Sequence, residues 1–386
     1  MLDEMLEEAG GKECWASLRP IERLQRKKGV IREVQITLGE RAYQRLSPEE
    51  KAEIDFWVYT GCVMHKDLNA AKGGADRMAK SWEKEGKTPP ISLMSKAQAT
   101  ATEPSSAPKK GKGGRQPERG GNKLTSLLGA LVKNKNPNKG HQARFRVYCR
   151  KMLGFEVLFP DTSNNRYQSH GYAATEIVLR RQLYTDFLLN VQDRKAMTGG
   201  LNHMERNILI GILDDATFTE LQVMTLYSQA ISLPLAELVR APHHQPKNGL
   251  DLGPDFDHLL DHIEAIIKDP DILIGPSVSS ETATLDGRPW HNPDVISIIV
   301  SDRDCYPHLK SALVEYFKGT LETWRKFTRD VLDNPKLSAA TPEQRYLAFR
   351  YPVNNSNEGA LGLMRRTVRA FPRLTFAQLN ARLTCR

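Results

Sequence analysis

Residues 306–332 read YPHLKSALVEYFKGTLETWRKFTRDVL. Leu309, Leu313, Phe317, Trp324, Phe327 and Val331 recur at the three- and four-residue spacings of one helix face, so the stretch predicts a long amphipathic helix of bundle type. Its surroundings keep the same period. Phe256, Leu259, Leu260, Ile263, Ile266 and Ile267 mark a second apolar face. Thr217-Phe218-Thr219-Glu220 reads as a capping box opening a helix with Leu221, Met224 and Tyr227, and Pro234 is expected to follow its end. From about 170 to 350 the chain is expected to be almost wholly helical. Candidates for β structure are few: Phe155 to Phe159 and Val295 to Val300.

Toward the N-terminus, residues 1–55 also read as helical. Trp15, Leu18, Ile21 and Leu24 are spaced by three, and Ser47-Pro48-Glu49-Glu50 combines an N-cap, a first-turn Pro and a capping-box Glu. Ile54 to Tyr59 is a β-prone run, which predicts a strand leading into Cys62 and a helix from about Lys66 to Glu85 that Pro89-Pro90 stops. Residues 95–122 are poor in large apolar side chains and rich in Ala, Ser, Pro, Gly and Lys, a composition that predicts a disordered linker. Folding is expected to resume near Leu124 to Val132, with Phe145, Tyr148 and Met152 forming another helix stripe. The domain reading is therefore 1–94, a basic linker at 95–122, a helical domain at 123–350 and C-terminal helices at 351–386.

With 386 residues, 40% of them hydrophobic and 26% charged, the chain has the composition of a folded protein with a substantial core. No run approaches the length of a membrane span, and the acidic start Met1-Leu2-Asp3-Glu4 does not read as a signal peptide. Cys14, Cys62, Cys149, Cys305 and Cys385 are scattered and odd in number, which argues against a disulfide framework and for a reducing compartment. The net charge of +9 is concentrated. Residues 95–151 hold 14 Lys or Arg against Glu103 and Glu118, or +12, so the remainder sums to −3. Such a block attracts phosphate backbones without reading sequence, or serves as a solvated linker or import signal.

Two short segments carry candidate chemistry. In Gly61-Cys62-Val63-Met64-His65-Lys66-Asp67-Leu68-Asn69, the Cys62-x-x-His65 spacing suits half of a zinc site, a nucleic-acid site, or a packed Cys beside a hydrogen-bonded His. No second Cys/His pair with suitable spacing completes a zinc site, since His243-His244 in its Pro-rich loop lacks a cysteine neighbour. In Asn354-Asn355-Ser356-Asn357-Glu358, Glu358 opens a helix of Leu361, Met364, Val368 and Phe371. It is either a first-turn acid that complements the helix dipole or a ligand of a metal site shared with other carboxylates. Arg365, Arg366 and Arg369 follow on that helix and offer guanidinium groups to a phosphate backbone or to solvent. The glycines at Gly111 and Gly113-Gly114 neither follow a strand nor precede a helix, which excludes a P-loop.

Taken in order, these residues resemble the Kyakuja–Dileera–Zisupton (KDZ) group of DDE transposases, abundant in basidiomycete fungi. The resemblance runs through residues 61–74, through Phe159-Pro160-Asp161-Thr162-Ser163 to Gly171, through Leu201-Asn202-His203-Met204-Glu205 and Leu226 to Ser232, and through Asn357-Glu358-Gly359-Ala360-Leu361-Gly362 and Leu379-Asn380-Ala381-Arg382. It implies a mainly α chain with a small α/β remnant, an incomplete ribonuclease-H-like core interrupted by a large helical insertion. It maps Cys62 and His65 onto a C/D-x-x-H motif beside the catalytic centre and Glu358 onto the third acid of the triad. The first two aspartates have no counterpart here, and no motif makes Asp55 or Asp67 a substitute.

The resemblance implies a truncated or decayed transposase-derived protein, nuclear and DNA-binding, not catalytic alone. Intact relatives would cut and transfer DNA strands with Mg²⁺. Lys109, Lys110, Lys112, Arg115, Arg119, Arg365, Arg366 and Arg369 are the candidate nucleic-acid contacts, and Glu358 would ligate metal only in a complete triad. The alternative is a non-catalytic helical module for protein interaction or self-association.

Overall fold

Helix caps written into the sequence divide the N-terminal part of the chain. The computed structural model describes residues 10–94, 119–136, 140–162, 168–240 and 247–384. It separates into two compact units, Met1–Tyr59 and Thr60–Arg386. The first holds α1 (Lys12–Ser17), α2 (Pro20–Gln44) and α3 (Pro48–Ile54). Pro20 and Pro48 stand in first turns, where the missing N–H costs nothing. Ser47 caps α3 as expected: its Oγ accepts from Glu50 N at 3.2 Å, and Glu50 Oε2 accepts from Ser47 N at 2.8 Å. Along α2 only Val30 is buried, and Ile21, Leu24, Ile36 and Leu38 are exposed.

The second unit is a helical assembly. Its principal helices are α4 (Val63–Lys84), α5 (Gly120–Lys133), α6 (Gln142–Leu153), α7 (Ser169–Leu179), α8 (Arg181–Arg194), α9 (His203–Leu213), α10 (Asp215–Tyr227), α11 (Leu233–Val239), α12 (Gly253–Lys268), α13 (Pro293–Asp302), α14 (Leu309–Leu332), α15 (Asn355–Ala370) and α16 (Phe376–Thr384). The long helix read from residues 306–332 is α14, and its most extensive partner is α4. Their backbones touch through glycines. A Cβ on Gly319 would lie 2.4 Å from Gly73 O, and one on Gly74 would lie 2.7 Å from Thr320 Cγ2. On either side of Gly319, Leu313, Phe317 and Trp324 are buried, as the periodicity requires. Helix α10 is central: every residue from Thr217 to Tyr227 is buried, which fits a helix covered by α5, α7 and α14.

Of the described residues 74% are helical, and none lies in a β-strand; one isolated bridge joins Ser92 to Arg119. The strand expected at Ile54–Tyr59 is therefore corrected. Ile54 ends α3 and the following residues are irregular. The run 155–159 alternates as a strand does, with Val157 and Phe159 buried and Phe155 and Leu158 exposed, but no neighbouring chain supplies a ladder. Val295 to Val300 lies inside α13, launched by Asn292, whose Oδ1 accepts from Val295 N at 3.3 Å, and by Pro293. A short apolar run reads alike as buried strand or buried helix; here the cap decides. The α/β remnant finds no strand among the described residues.

Other boundaries also move. The helix expected from Lys66 begins at Val63. Residues 95–118 of the expected linker lie outside the described residues, whereas residues 119–122 are ordered: Arg119 pairs with Glu83 at 2.7 Å, and Gly120 and Gly121 are buried in the start of α5. Thr217 does not cap α10. Asp214 does, its Oδ2 accepting from Thr217 N at 2.8 Å. Pro234 does not end the helix either, because residues 228–232 form a π turn and α11 continues from it with Pro234 in its first turn. The carbonyl that Pro234 leaves without a donor, Ala230 O, accepts from Leu285 N at 2.8 Å. No helix among the described residues is long and apolar enough to cross a membrane.

Candidate nucleic-acid interface at the joined motifs

Cys62 is the N-cap residue of α4, with extended backbone and a carbonyl that accepts from His65 N and Lys66 N, both at 3.1 Å. The first amide of the helix, Val63 N, donates to Pro352 O at 2.9 Å. That bond brings the segment before α15 onto the start of α4. Arg350 adds a second tie, donating from Nη1 to Thr60 Oγ1 at 3.2 Å. The consequence is that His65 Nε2 stands 3.6 Å from Glu358 Oε1, both side chains partly exposed. The two candidate residues that sequence spacing leaves far apart therefore face each other at one end of the fold.

Beneath this pair Lys66 and Asp67 are buried. Lys66 is 3% exposed; its ammonium meets Asp330 Oδ1 and lies 4.9 Å from the centre of the Phe256 ring. Burial lowers its pKa, and the Asp330 carboxylate opposes that shift. Asp330 Oδ2 also accepts from Gly61 N at 2.6 Å, fixing the chain that leads into the helix. Asp67 is 1% exposed. Its Oδ1 accepts from Tyr227 Oη and from Ser232 Oγ, each at 2.9 Å, and Trp324 Nε1 donates to the same Tyr227 oxygen at 3.1 Å. Burial pushes the Asp67 carboxyl up to about 6 against the pull of its two hydroxyl donors.

Several segments quoted in sequence order are thus joined in space. Residues 61–74 meet 226–232 through Asp67, Gln168 Nε2 donates to Ser232 O at 2.5 Å, and residue 358 meets residue 65. Leu201 to Glu205 has a separate task. Asn202 caps α9, and the buried Glu205 carboxylate binds His141 Nε2 at 2.6 Å and Lys195 Nζ at 2.7 Å. Glu220, expected in a capping box, is instead buried. It accepts from Trp82 Nε1 at 3.0 Å and Gly121 N at 2.9 Å, and burial pushes its pKa up to about 7.

The magnesium pair implied by the resemblance requires several hard oxygen ligands. Here one carboxylate stands beside an imidazole, and the nearby Cys62 is a soft donor. Among the described residues no three His, Cys, Asp or Glu side chains gather into a metal-holding group. The residues present do not fit Mg²⁺. Asp55 pairs instead with the hydroxyl of Tyr43 in the first unit.

Of the expected phosphate contacts, Lys109, Lys110, Lys112 and Arg115 lie outside the described residues, and Arg119 is engaged with Glu83. Arg365, Arg366 and Arg369 are exposed along α15. Glu358, Arg365 and Arg369, spaced by seven and four residues, fall on one face of that helix. The face that reaches His65 therefore continues into arginines. Sequence reasoning missed Asp330, Arg350 and Tyr227 as supports of the site, although Asp330 and Tyr227 lay in segments already singled out for their apolar periods. No family model, curated protein or solved structure matches the chain.

Proposed function

We propose that the chain is a transposase-derived protein that binds DNA at the joined His65–Glu358 motifs and along its basic segments, and that by itself it does not cleave DNA. The observation that carries this reading is the 3.6 Å approach of His65 to Glu358. The resemblance implies that these two residues lie at one site, and their proximity supports that reading. The proposal extends to a nuclear location and to descent from an enzyme with a ribonuclease-H-like core. The single carboxylate at the site is the reason for expecting no cleavage, since one carboxylate cannot hold two ions in a cutting geometry.

The +12 carried by residues 95–151 supplies the long-range attraction. Cations there reach phosphates and give weak, sequence-tolerant binding, roughly micromolar at physiological salt. The test is a salt titration of duplex binding by fluorescence anisotropy, with wild type compared to a variant neutralised at Lys109, Lys110, Lys112 and Arg115. Arg119 is left in place because its ion pair with Glu83 is structural. Neutralisation is expected to weaken unrelated sequences equally and to reduce the salt slope by about 0.9 for each phosphate that no longer has a cation on it. No binding by wild type at low salt would refute the reading. It would favour the competing one, a helical module for docking or self-association.

A further inference from the structure

Between Arg345 and Arg382 the chain carries seven arginines, one glutamate, and neither lysine nor aspartate. The block at 95–151 differs: nine of its fourteen cations are lysines. Arginine and lysine both attract phosphates, but only the planar guanidinium also stacks on flat rings. Two of the seven are structural. Arg345 binds Leu250 O and Asp251, and Arg350 binds Thr60. Arg365, Arg366, Arg369 and Arg373 are exposed and have no ion-pair partner among the described residues.

The same segment exposes aromatic rings. Tyr351 is 56% exposed, Phe371 49% and Phe376 73%. Tyr351 precedes Pro352, whose carbonyl is bonded to the start of α4, so it stands at the His65 end of α15. Phe371 follows the other end, with the Arg382 guanidinium 4.5 Å over its ring. The arginine face is thus flanked by a ring beyond each end of a helix about 24 Å long, the rise of sixteen helical residues. Duplex DNA keeps its base faces stacked inside and gives exposed rings nothing to stack on. An unpaired strand offers both phosphates and base faces.

We infer that α15 and its flanking rings form a binding surface for an unpaired nucleic-acid strand, with Arg365 and Arg369 on phosphates and Tyr351, Phe371 and Phe376 stacking on bases. The inference rests on the DNA-binding reading and narrows its substrate class. The chemistry is common to single-stranded DNA and RNA.

The experiment measures anisotropy of the full chain with labelled oligonucleotides of about 20 nucleotides: oligothymidine, oligouridine and a mixed-sequence duplex. The variants are Tyr351→Leu, Phe371→Leu and Phe376→Leu, which keep apolar volume and remove the ring, and the pair Arg365→Gln/Arg369→Gln. Each ring removal is expected to weaken unpaired strands roughly tenfold, leaving duplex affinity and salt slope unchanged. The arginine pair is expected to flatten the slope on unpaired strands by about 0.7 for each phosphate released. Binding of thymidine and uridine strands alike, or of one alone, supports the surface and names its source. Tighter duplex binding by wild type, or ring variants indistinguishable from wild type, would overturn the inference while leaving DNA binding in place. Loss of self-association in the ring variants with unchanged strand affinity would also overturn it. No binding to any oligonucleotide would remove the underlying reading as well.

Discussion

Asp67→Asn provides a quantitative test of how the protein's interior supports the site. The wild-type carboxyl is buried, and its pKa is raised from 3.8 to about 6. The folded state therefore holds the proton more tightly than the unfolded chain. Stability from this group is fully present below about pH 4 and is lost as pH rises through about 6. A displacement of roughly two units corresponds to about 3 kcal/mol at pH 8. Asn keeps an oxygen to accept from Tyr227 and Ser232 but carries no charge to bury. The variant should be more stable than wild type by about 3 kcal/mol at pH 8, and the difference should shrink toward zero near pH 4. Urea titrations followed by tryptophan fluorescence are suitable, because Trp82 and Trp324 are both buried in this unit. With an m-value of about 3 kcal/mol/M, the pH 8 midpoint should move up by roughly 1 M. Glu220, raised to about 7 by burial, acts in the same direction in both proteins and cancels in the comparison. Parallel stability curves, or a variant weaker than wild type at pH 8, would refute the reasoning.

The helix crossing makes a paired prediction: Gly319→Ala should destabilise by about 1–3 kcal/mol because its Cβ would meet Gly73 O at 2.4 Å, whereas Gly362→Ala, with nothing within 4 Å, should stabilise α15 by up to about 1 kcal/mol; thermal melts decide both. Purified protein should hold no stoichiometric zinc by elemental analysis, and zinc that is lost on Cys62→Ser would show unrecognised ligands. Supercoiled plasmid incubated with Mg²⁺ or Mn²⁺ should remain intact, and nicking that disappears in Glu358→Ala would show that further acids complete the site.

The helices were legible because their apolar periods are long and their caps explicit, as in α14 and at Ser47. Of the three expected strands, one follows a helix that ends at Ile54, one lies in the helix that Asn292 caps, and the run 155–159 lacks a partner among the described residues. Val157 and Phe159 alternate properly, but alternation specifies a face, and no local pattern specifies a ladder. At Pro234 the misreading had another source. A proline costs a helix both a hydrogen bond and a clash with the preceding turn; here the π turn before Pro234 opens the backbone, and Leu285, more than fifty residues on, donates to the freed carbonyl. Glu220 suits a capping box in sequence, yet Asp214 caps the helix from three residues before Thr217 and leaves Glu220 for the core. At the site, His65 and Glu358 were visible as residue types in motifs. Asp330 and Arg350 were not, because their partners Lys66, Gly61 and Thr60 lie hundreds of residues away and no helical period signals an ion pair at that range.

The central claim, that the joined motifs form a nucleic-acid interface, is tested most directly by watching His65 during binding. With histidine-labelled protein, and His65→Gln to assign the signal, the imidazole resonance is followed by NMR as oligonucleotide is added. The account predicts a saturable shift of the His65 signal that tracks anisotropy and is lost in Arg365→Gln/Arg369→Gln. Saturated binding with the His65 resonance unmoved would contradict it.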